Sequence, residues 1–385
     1  MVTKVTKGRV IQNGRIEERD LFFENGIIID GTPAADQVID AEGLYVSPGF
    51  IDIHVHGGGG HDFMDGTEAA FRGIAEFHAR YGTTAMCPTT LSGELDETIS
   101  MLKVYEAVKD ADDNGSDFIG IHLEGPYFAL SKKGAQDEKY VHAPSKEEYE
   151  KILNASTDIV RWSAAPEMDM DYEFSKALRQ HGILPSAGHT DANCRQMLEA
   201  AEHGYTHMTH LYSGMDSVVR VDGIRIAGAV EAAYLHDGIT VEIIADGMHL
   251  PHELLLLVYK FKGAERTALI TDAMRGAGSY DGQTSILGSL KRGQEVFIED
   301  GVAWMPHRQA FAGSIATFDR LVRTMLEAGV PLPEVIRMAS ETPAKIIGCH
   351  RKGTLDVGKD ADIVLFDDNI RVVRTIVRGK TVFSK

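Results

Sequence analysis

The chain of 385 residues contains few cysteines and a deficit of positive charge. The three cysteines, Cys87, Cys194 and Cys349, lack the C-x-x-C spacing of a zinc knuckle or a redox pair, so reduced thiols in a reducing compartment are expected. Lysine and arginine number 39 against 57 aspartates and glutamates, which gives a net charge of -18. Because polyanions would be repelled, the charge argues against nucleic acid and anionic membranes as partners.

Long apolar runs are also missing. The longest aliphatic run, Leu254–Val258, is far shorter than the roughly 20 residues of a membrane helix. The polar start MVTKVTKGRV has no apolar signal core. With 43% hydrophobic residues, the sequence predicts a folded cytosolic protein.

The order of apolar runs predicts an α/β fold. Residues 1–49 read as short strands, with hairpin signals at Asn13-Gly14 and Asn25-Gly26. Residues 50–349 alternate apolar runs with amphipathic helical stretches, which is typical of βα units and a parallel sheet. The β-like runs in this part number eight: FIDIHVH, TTAMCPTT, DFIGIHLEG, IVRWSAAPE, GILPSAGHT, YTHMTHLYS, ITVEIIADGMH and TALITDA.

A (β/α)8 TIM-like barrel is the simplest closure of eight such runs. A doubly wound open sheet is the alternative, but no G-x-G-x-x-G opens a helix. After Thr284 we expect a β-rich excursion, and one or two helices over residues 315–347. Residues 350–385 return to short strands, so the two chain ends, 1–49 and 350–385, are predicted to pair into one small β domain beside the barrel.

Polar residues at the ends of the runs predict a metal site. His54 and His56 are separated by one residue, so on a strand both imidazoles project to the same face. An H-x-H pair alone is a weak signal, but further nitrogen and oxygen ligands end other runs: Glu124, His189, His210 and Asp272. The carboxyl ends of the strands form one face of a barrel, so these side chains are expected to converge. His122 is expected to lie behind the ligands, and His207 to be structural.

Six such ligands exceed what one tetrahedral ion uses, so one or two divalent ions with a bridging carboxylate are predicted. Zn²⁺ and Fe²⁺ suit this donor set best, and Mn²⁺ and Co²⁺ are alternatives.

The motifs PGFIDIHVHG, HLEGP, SAGHT, THLYSGM, IIADGMH, LITDA and FAGS, in this order, resemble the N-acetylglucosamine-6-phosphate deacetylases of the amidohydrolase superfamily. The resemblance runs from about Gly8 to the C-terminus, and the GTLDVGKDADIVLFD tail resembles the β-sandwich of the superfamily. It implies a homodimer of barrel and β-sandwich subunits that hydrolyses the acetamide of a phosphorylated amino sugar. By the same resemblance Glu124, His189 and His210 hold the main ion, and His54 and His56 a second ion that Glu124 bridges.

The resemblance also assigns roles around the metal. Asp272 is expected to take a proton from the attacking water and pass it to the leaving amine; a pure metal ligand or a helix cap is its alternative. His249 of the A-D-G-x-H motif and the backbone of Ser213 and Gly214 are expected to bind the sugar. Gln136 is expected at the substrate where some relatives have histidine.

An arginine in an R-E-P-G-like stretch usually binds the phosphate in this family, often across a dimer interface. Here the stretch reads RVDGIRIAG, so Arg220 is the first candidate and Arg225 the second. Arg275, after TDAM, is a further cation predicted near the active face.

Three alternatives stay open from the sequence. The same chemistry would serve N-acetylgalactosamine 6-phosphate or a non-phosphorylated amide. Cyclic amide hydrolysis is less favoured, because relatives with that activity commonly bridge two metals with a carboxylated lysine and no lysine ends a run here. The third alternative is a non-catalytic sensor of sugar phosphates. The presence of Asp272 and of the full ligand set argues against it.

Overall fold

The computed structural model describes residues 1–111, 114–308 and 310–385, and its chain begins with short strands. These are β1 (Val2–Thr6), β2 (Arg9–Gln12), β3 (Arg15–Glu18), β4 (Leu21–Glu24), β5 (Ile27–Ile29), β6 (Gln37–Asp40) and β7 (Tyr45–Pro48). Asn13 and Gly14 connect β2 to β3 with φ of 52° and 72°, and Asn25 and Gly26 connect β4 to β5 with φ of 50° and 79°. Both pairs adopt the left-handed backbone of a tight hairpin turn, so the two predicted hairpins form.

The central part alternates strands and helices. Its strands are β8 (Phe50–Val55), β9 (Gly57–Gly58), β10 (His61–Asp62), β11 (Thr83–Pro88), β12 (Asp117–Phe118), β13 (Ile121–Glu124), β14 (Ile159–Ala164), β15 (Leu184–Ala187), β16 (His207–Met208), β17 (Val219–Val221), β18 (Ile224–Ile226), β19 (Thr240–Ile244) and β20 (Thr267–Ile270). Its helices are α1 (Glu68–Ala79), α2 (Leu95–Val108), α3 (Lys146–Leu153), α4 (Glu173–Gln180), α5 (Cys194–Glu202), α6 (Ala229–Leu235) and α7 (His252–Lys262).

Parallel strands run through all eight predicted apolar runs. One sheet has the order β12-β11-β8, and the other has the order β13-β14-β15-β16-β19-β20. A parallel bridge between Thr89 and His122 joins the two sheets. At the other side, the backbone N–H of Asp272 donates to the carbonyl of His54 at 2.9 Å, so the chain after β20 meets the end of β8. The predicted α/β fold is confirmed, and its parallel sheets curl.

The parallel strands are covered on both faces, because every residue of β8 and β11 is buried. The outer face packs on the helices through large side chains, including Phe71, Trp162 and Phe174. Short 3-10 helices complete the loops: Phe63–Asp65, Leu130–Lys132, Glu138–Tyr140, Pro166–Met168, Met170–Tyr172 and Pro306–Arg308. Among the residues that the structure describes, no helix combines the length and the apolar character needed to cross a membrane.

The predicted β-rich excursion is a small antiparallel sheet of β21 (Thr284–Leu287), β22 (Gln294–Glu299) and β23 (Val302–Trp304). It is followed by α8 (Phe318–Glu327), α9 (Leu332–Ala339) and α10 (Glu341–Ile346). The prediction of one or two helices here was wrong. Pro331 starts a new helix after α8, and Ser340, with φ of -140° and ψ of -69°, interrupts the helical backbone between α9 and α10.

The chain ends with β24 (Ile363–Phe366), β25 (Val372–Val377) and β26 (Lys380–Ser384). Strands from both ends share one sheet of order β26-β25-β24-β7-β2-β3, because β24 pairs with β7 in antiparallel register. A second sheet has the order β5-β4-β1-β6. A common hydrophobic cluster, which includes Val5, Phe23, Val46 and Leu365, contains buried side chains of both sheets.

Candidate metal centre

The carboxyl ends of the parallel strands bring together all six predicted ligands. They form two groups, His54 with His56 and Asp272, and Glu124 with His189 and His210, and the donor atoms within each group lie within 4.8 Å of one another. All six side chains are buried. His54 and His56 lie on the same side at the end of β8, as the alternation of a strand predicts.

Glu124, the last residue of β13, lies between the two groups. Its Oε1 is 3.0 Å from Nε2 of His210, 3.3 Å from Nε2 of His189 and 3.6 Å from Nε2 of His54. Its Oε2 is 3.4 Å from Nε2 of His56. One carboxylate thus faces four imidazoles, and from this position it would be shared by two ions if both were bound.

Three of the ligands have a left-handed backbone directly after a strand. The φ angles are 48° for His189 after β15, 29° for His210 after β16 and 48° for Asp272 after β20. Such a backbone is unfavourable for residues other than glycine and clusters at functional sites. After each of these three strands, the chain therefore turns sharply at the candidate metal ligand.

The hydrogen bonds of two imidazoles fix their tautomers. Nδ1 of His54 donates to Oε1 of Glu242 at 2.7 Å, and Nδ1 of His189 donates to the carbonyl of Lys132 at 2.7 Å. Since both partners only accept, the Nε2 atoms of the neutral rings carry lone pairs. Nε2 of His189 nevertheless lies 3.3 Å from the carboxylate of Glu124.

Facing lone pairs repel unless a proton or a cation lies between them. Nε2 of His54 also lies 3.3 Å from Nε2 of His56, and Nε2 of His189 lies 3.2 Å from Nε2 of His210. The donor set of imidazole nitrogens and carboxylate oxygens therefore fits divalent cations.

The close contacts between imidazoles and carboxylates also shift the pKa values of the cluster. Burial lowers the pKa of His56, but its hydrogen bond to Asp272 and the charge of Glu124 outweigh burial and raise that pKa to about 9. When the rings are protonated, burial likewise opposes the shift of Glu124, yet the charge of His54 and hydrogen bonds from His189 and His210 hold its pKa well below the usual range. A divalent cation bound here would take the place of these protons.

The ligand groups lie at the floor of a cleft with about 710 Å³ of empty space, part of it open to solvent. The predicted sugar-binding residues Gln136, Ser213, Gly214 and His249 all line it. His249 shares a 2.9 Å hydrogen bond with Asp246 through Nδ1, and its ring packs against Phe311 at 4.8 Å. The apolar part of the wall consists of Leu91, Ala135, Ile244, Leu287, Ala310 and Phe311.

Two of these residues are tightly constrained. Gly214 has φ of 61°, and a Cβ there would lie 2.9 Å from Nδ1 of His189, so only glycine fits. The amide of Gln136 donates to Oε2 of Glu124 at 2.8 Å and accepts from the backbone N–H of Ser92 at 2.9 Å. Gln136 therefore holds the carboxylate that lies between the ligand groups.

The structure does not bring the predicted arginines into this cleft. Arg220 and Arg225 are register partners in the exposed hairpin of β17 and β18, and neither lines the cleft as far as the described residues define it. Arg275 is buried, forms an ion pair of 2.6 Å with Asp65 and donates to the carbonyls of Gly60 and Gly288. Its charge is neutralised, so it fixes loops and is not a free cation at the active face.

Two buried charged residues beneath the ligands were missed by the sequence analysis. Glu242 on β19 accepts the hydrogen bond from His54, and Arg161 on β14 forms an ion pair with Glu242. The available signal was a charged residue inside each of the apolar runs ITVEIIADG and IVRWSAAPE, since such residues are almost never fully buried unless paired.

Comparison with known proteins identifies the family of this chain. The model of the amidohydrolase family matches residues 45–382. The chain belongs to the amidohydrolase family. Within this family, it is 31% identical to the N-acetylglucosamine-6-phosphate deacetylase of Bacillus subtilis (strain 168), over 98% of this chain and 95% of the relative. It is 32% identical to the Homo sapiens protein of the same name, over 100% of this chain and 96% of the relative.

Solved structures of amidohydrolases with the same name are similar throughout. The Pasteurella multocida N-acetylglucosamine-6-phosphate deacetylase gives a TM-score of 0.90 at 27% identity, covering 99% of each chain. A mutant of the Mycobacterium smegmatis enzyme in complex with N-acetyl-D-glucosamine-6-phosphate gives 0.88 at 26% identity, covering 100% of this chain and 99% of the other. The resemblance found from the motifs is confirmed.

Proposed function

We propose that this amidohydrolase hydrolyses N-acetylglucosamine 6-phosphate to glucosamine 6-phosphate and acetate. The observation that carries the proposal is the position of Glu124 between two groups of buried ligands, at the floor of a cleft that Asp272 and His249 also line. The relatives named for this reaction, including one in complex with the substrate, support it.

The proposed reaction depends on one or two divalent ions per subunit, with Zn²⁺ or Fe²⁺ preferred over Mn²⁺ or Co²⁺. Glu124, His189 and His210 would hold one ion, and His54, His56 and Asp272 the second, with Glu124 shared. When bound, such an ion lowers the pKa of a coordinated water toward about 7 and polarises the amide carbonyl.

Asp272 is the proposed proton carrier. Burial raises its pKa, but the charge of His54 and a hydrogen bond from His56 outweigh burial and keep that pKa below the usual range, so the side chain is a carboxylate that accepts a proton. Its Oδ1 lies 3.1 Å from Nε2 of His56, at the floor of the cleft. It would take the proton of the attacking water and give it to the amine that leaves.

The sugar would lie against the cleft residues. Since Nδ1 of His249 is engaged with Asp246, its other ring nitrogen remains for a substrate hydroxyl or carbonyl group. Ser213 and Gly214 would contribute backbone groups. Gln136 would bind the sugar through its second amide N–H, because its other N–H donates to Glu124 and its oxygen accepts from Ser92.

The phosphate would be bound by Arg220, with Arg225 as the second candidate, from the hairpin of β17 and β18. That hairpin lies outside the cleft of its own subunit, so this role requires a homodimer in which the hairpin reaches the cleft of the other subunit. Exposed aliphatic side chains beside the arginines support an interface here: Val219, Val221, Ile224 and Ile226.

Arg220→Ala tests this role. It should raise KM for the phosphorylated sugar and leave KM for the non-phosphorylated sugar unchanged. Light scattering measures the dimer, and equal KM values for both variant and wild type would contradict the assignment of Arg220.

At the level of architecture, we propose that residues 50–349 form a closed (β/α)8 barrel and that residues 1–49 and 350–385 form a β-sandwich. The hydrogen bond from Asp272 to His54 supports the closure, and the pairing of β24 with β7 supports a domain built from both chain ends. The cytosolic location stays a prediction from the sequence.

Acetate release tests the function directly. Purified protein supplied with Zn²⁺ or Fe²⁺ should release acetate from N-acetylglucosamine 6-phosphate at millimolar concentration. The same assay with N-acetylgalactosamine 6-phosphate and with N-acetylglucosamine identifies the preferred epimer and the need for phosphate. No acetate from any of the three sugars would overturn the proposal.

A further inference from the structure

A layer of buried polar side chains lies beneath the metal centre, one step further from the cleft. Its members are Arg161 on β14, Glu242 on β19, His122 on β13 and His207 on β16, and each is fully buried. In the register of β13 and β14, His122 is opposite Arg161 and Glu124 is opposite Ser163. The layer therefore follows directly below the layer of ligands, as in the stacked interior of a parallel barrel.

Arg161 is hydrogen-bonded through both terminal nitrogens. Nη1 contacts the Glu242 carboxylate and lies 2.9 Å from Nε2 of His207. Nη2 lies 2.8 Å from Nδ1 of His122 and 3.1 Å from the carbonyl of Ile53. Because a guanidinium only donates, both histidines accept from it and are neutral.

The remaining ring nitrogens have partners of their own. Nε2 of His122 donates to Oγ of Ser163 at 2.7 Å, and Nδ1 of His207 donates to Oγ1 of Thr240 at 2.8 Å. The positions of the ring protons of His122 and His207 are therefore specified. A buried carboxylate is costly without a counter-ion, and Arg161 supplies that counter-ion to Glu242.

Glu242 connects this network to the ligands. Its Oε1 accepts from Nδ1 of His54 at 2.7 Å and from the backbone N–H of His210 at 3.2 Å. It therefore contacts one ligand of each group, but only in the case of His54 does it contact the imidazole itself.

The four ligand imidazoles differ in what lies behind them. His54 has a buried carboxylate, and His189 has the backbone carbonyl of Lys132. Nδ1 of His56 and Nδ1 of His210 have no hydrogen-bond partner within the described part of the chain. A carboxylate behind a ligating histidine fixes the tautomer and the ring orientation and makes the ring a stronger donor to the metal.

We propose that Glu242, with Arg161 as its counter-ion, is a positioning residue that fixes His54 as an Nε2 ligand and selectively strengthens ion binding at the His54, His56 and Asp272 group. The inference rests on the metal dependence in the proposed function. It does not require that the substrate is an acetylated sugar phosphate.

Titration of the metal-free protein with Co²⁺ tests this proposal, because the visible absorption of Co²⁺ reports its ligands as well as its stoichiometry. The wild type should bind two ions. Glu242→Gln retains the shape and removes the charge, and it should weaken one of the two binding steps by ten- to a hundredfold, the range for loss of a partner behind a ligand. The other step should stay within threefold of the wild type.

Three further variants assign the affected step. His54→Asn should lose the same step as Glu242→Gln, and His189→Asn should lose the other. Asp169→Asn is the matched control, because Asp169 is also a buried carboxylate and accepts from Tyr205 and from the backbone of Phe174, but lacks a hydrogen bond to a candidate ligand in the described structure. It should leave both steps and the Co²⁺ spectrum unchanged.

The proposal is overturned if Glu242→Gln binds both ions as the wild type does, if it weakens both steps equally, or if the wild type binds a single ion. If the single variant does not fold, the double variant Glu242→Gln with Arg161→Met removes both buried charges and is judged by the same outcomes. Acetate release is not measured in this titration. A protein that passes it and yet deacetylates nothing would refute the proposed function alone.

Discussion

The two ligand groups are positioned by different means. His54 and His56 lie on the extended backbone of β8 and at its end, and the buried pair of Glu242 and Arg161 holds His54 from behind. His189 and His210 are instead positioned by left-handed turns after β15 and β16, and His189 is held by a backbone carbonyl. His54 therefore depends on distant side chains, whereas His189 and His210 depend mainly on their own backbone. Substitutions beneath the centre should affect the first group more than the second.

Glu124→Gln should give the largest effect, because Glu124 contacts both groups. Without it, both groups should bind ions more weakly and the difference between them should disappear. The amide cannot bridge two cations, so both Co²⁺ binding steps should weaken and acetate release should fall on the order of 10⁴-fold. Glu173→Gln, at an exposed glutamate on α4, is the control and should behave as the wild type. Activity within tenfold of the wild type would show that Glu124 is not the shared ligand.

Asp272→Asn should affect ion binding at the first group and not at the second. It removes the carboxylate of the first group, which is also the proposed proton carrier. We expect kcat to fall roughly 10²- to 10⁴-fold, the usual contribution of general acid-base catalysis. The ion at Glu124, His189 and His210 should remain, and Co²⁺ titration checks this. A kcat within threefold of the wild type would argue that Asp272 carries no proton.

Gln136→Leu should act on the second group through Glu124. Loss of the hydrogen bond to Oε2 frees the carboxylate to rotate, and kcat and the affinity for the ion should each fall by about tenfold. Gln294→Leu is a matched control, since Gln294 donates at 2.9 Å to the carbonyl of Ala135, next to Gln136, and lacks a hydrogen bond to Glu124 in the described residues. If both variants behave alike, the effect comes from packing and not from Glu124.

Much of the centre was predictable because strand periodicity is local. The spacing of His54 and His56 places both on one face, and the carboxyl ends of parallel strands must meet, so the convergence of these side chains with Glu124, His189, His210 and Asp272 was predicted without coordinates.

The supporting residues were not predictable in this way. Arg161 and Glu242 are 81 residues apart in the chain, and their pairing depends on the register of the three strand pairings that connect β14 to β19. Arg275 was predicted as a cation at the active face for the same reason: its partner Asp65, 210 residues away, gives no signal in the sequence near it.

His78→Gln should give the smallest effect. It tests whether His78 stabilises the backbone that follows His56. His78 on α1 is buried and donates from Nε2 to the carbonyl of Gly57, next to His56, at 2.9 Å. Burial lowers its pKa to about 4, so between the unfolded value near 6.5 and pH 4 only the unfolded chain takes up this proton. The free energy of unfolding should therefore decrease as the pH is lowered across this window, by at most about 3 kcal/mol from this residue.

Glutamine keeps an N–H donor and does not titrate, so the variant should lose less stability between pH 7 and pH 4.5 in urea unfolding of the metal-free protein. Its activity at neutral pH should stay within about twofold of the wild type, because the hydrogen bond to Gly57 is retained. His181→Gln, at an exposed histidine that follows α4, is the control and should keep the pH dependence of the wild type. An identical pH dependence in His78→Gln would mean that His78 takes up its proton in the folded protein, and that the segment after His56 tolerates a charge behind it.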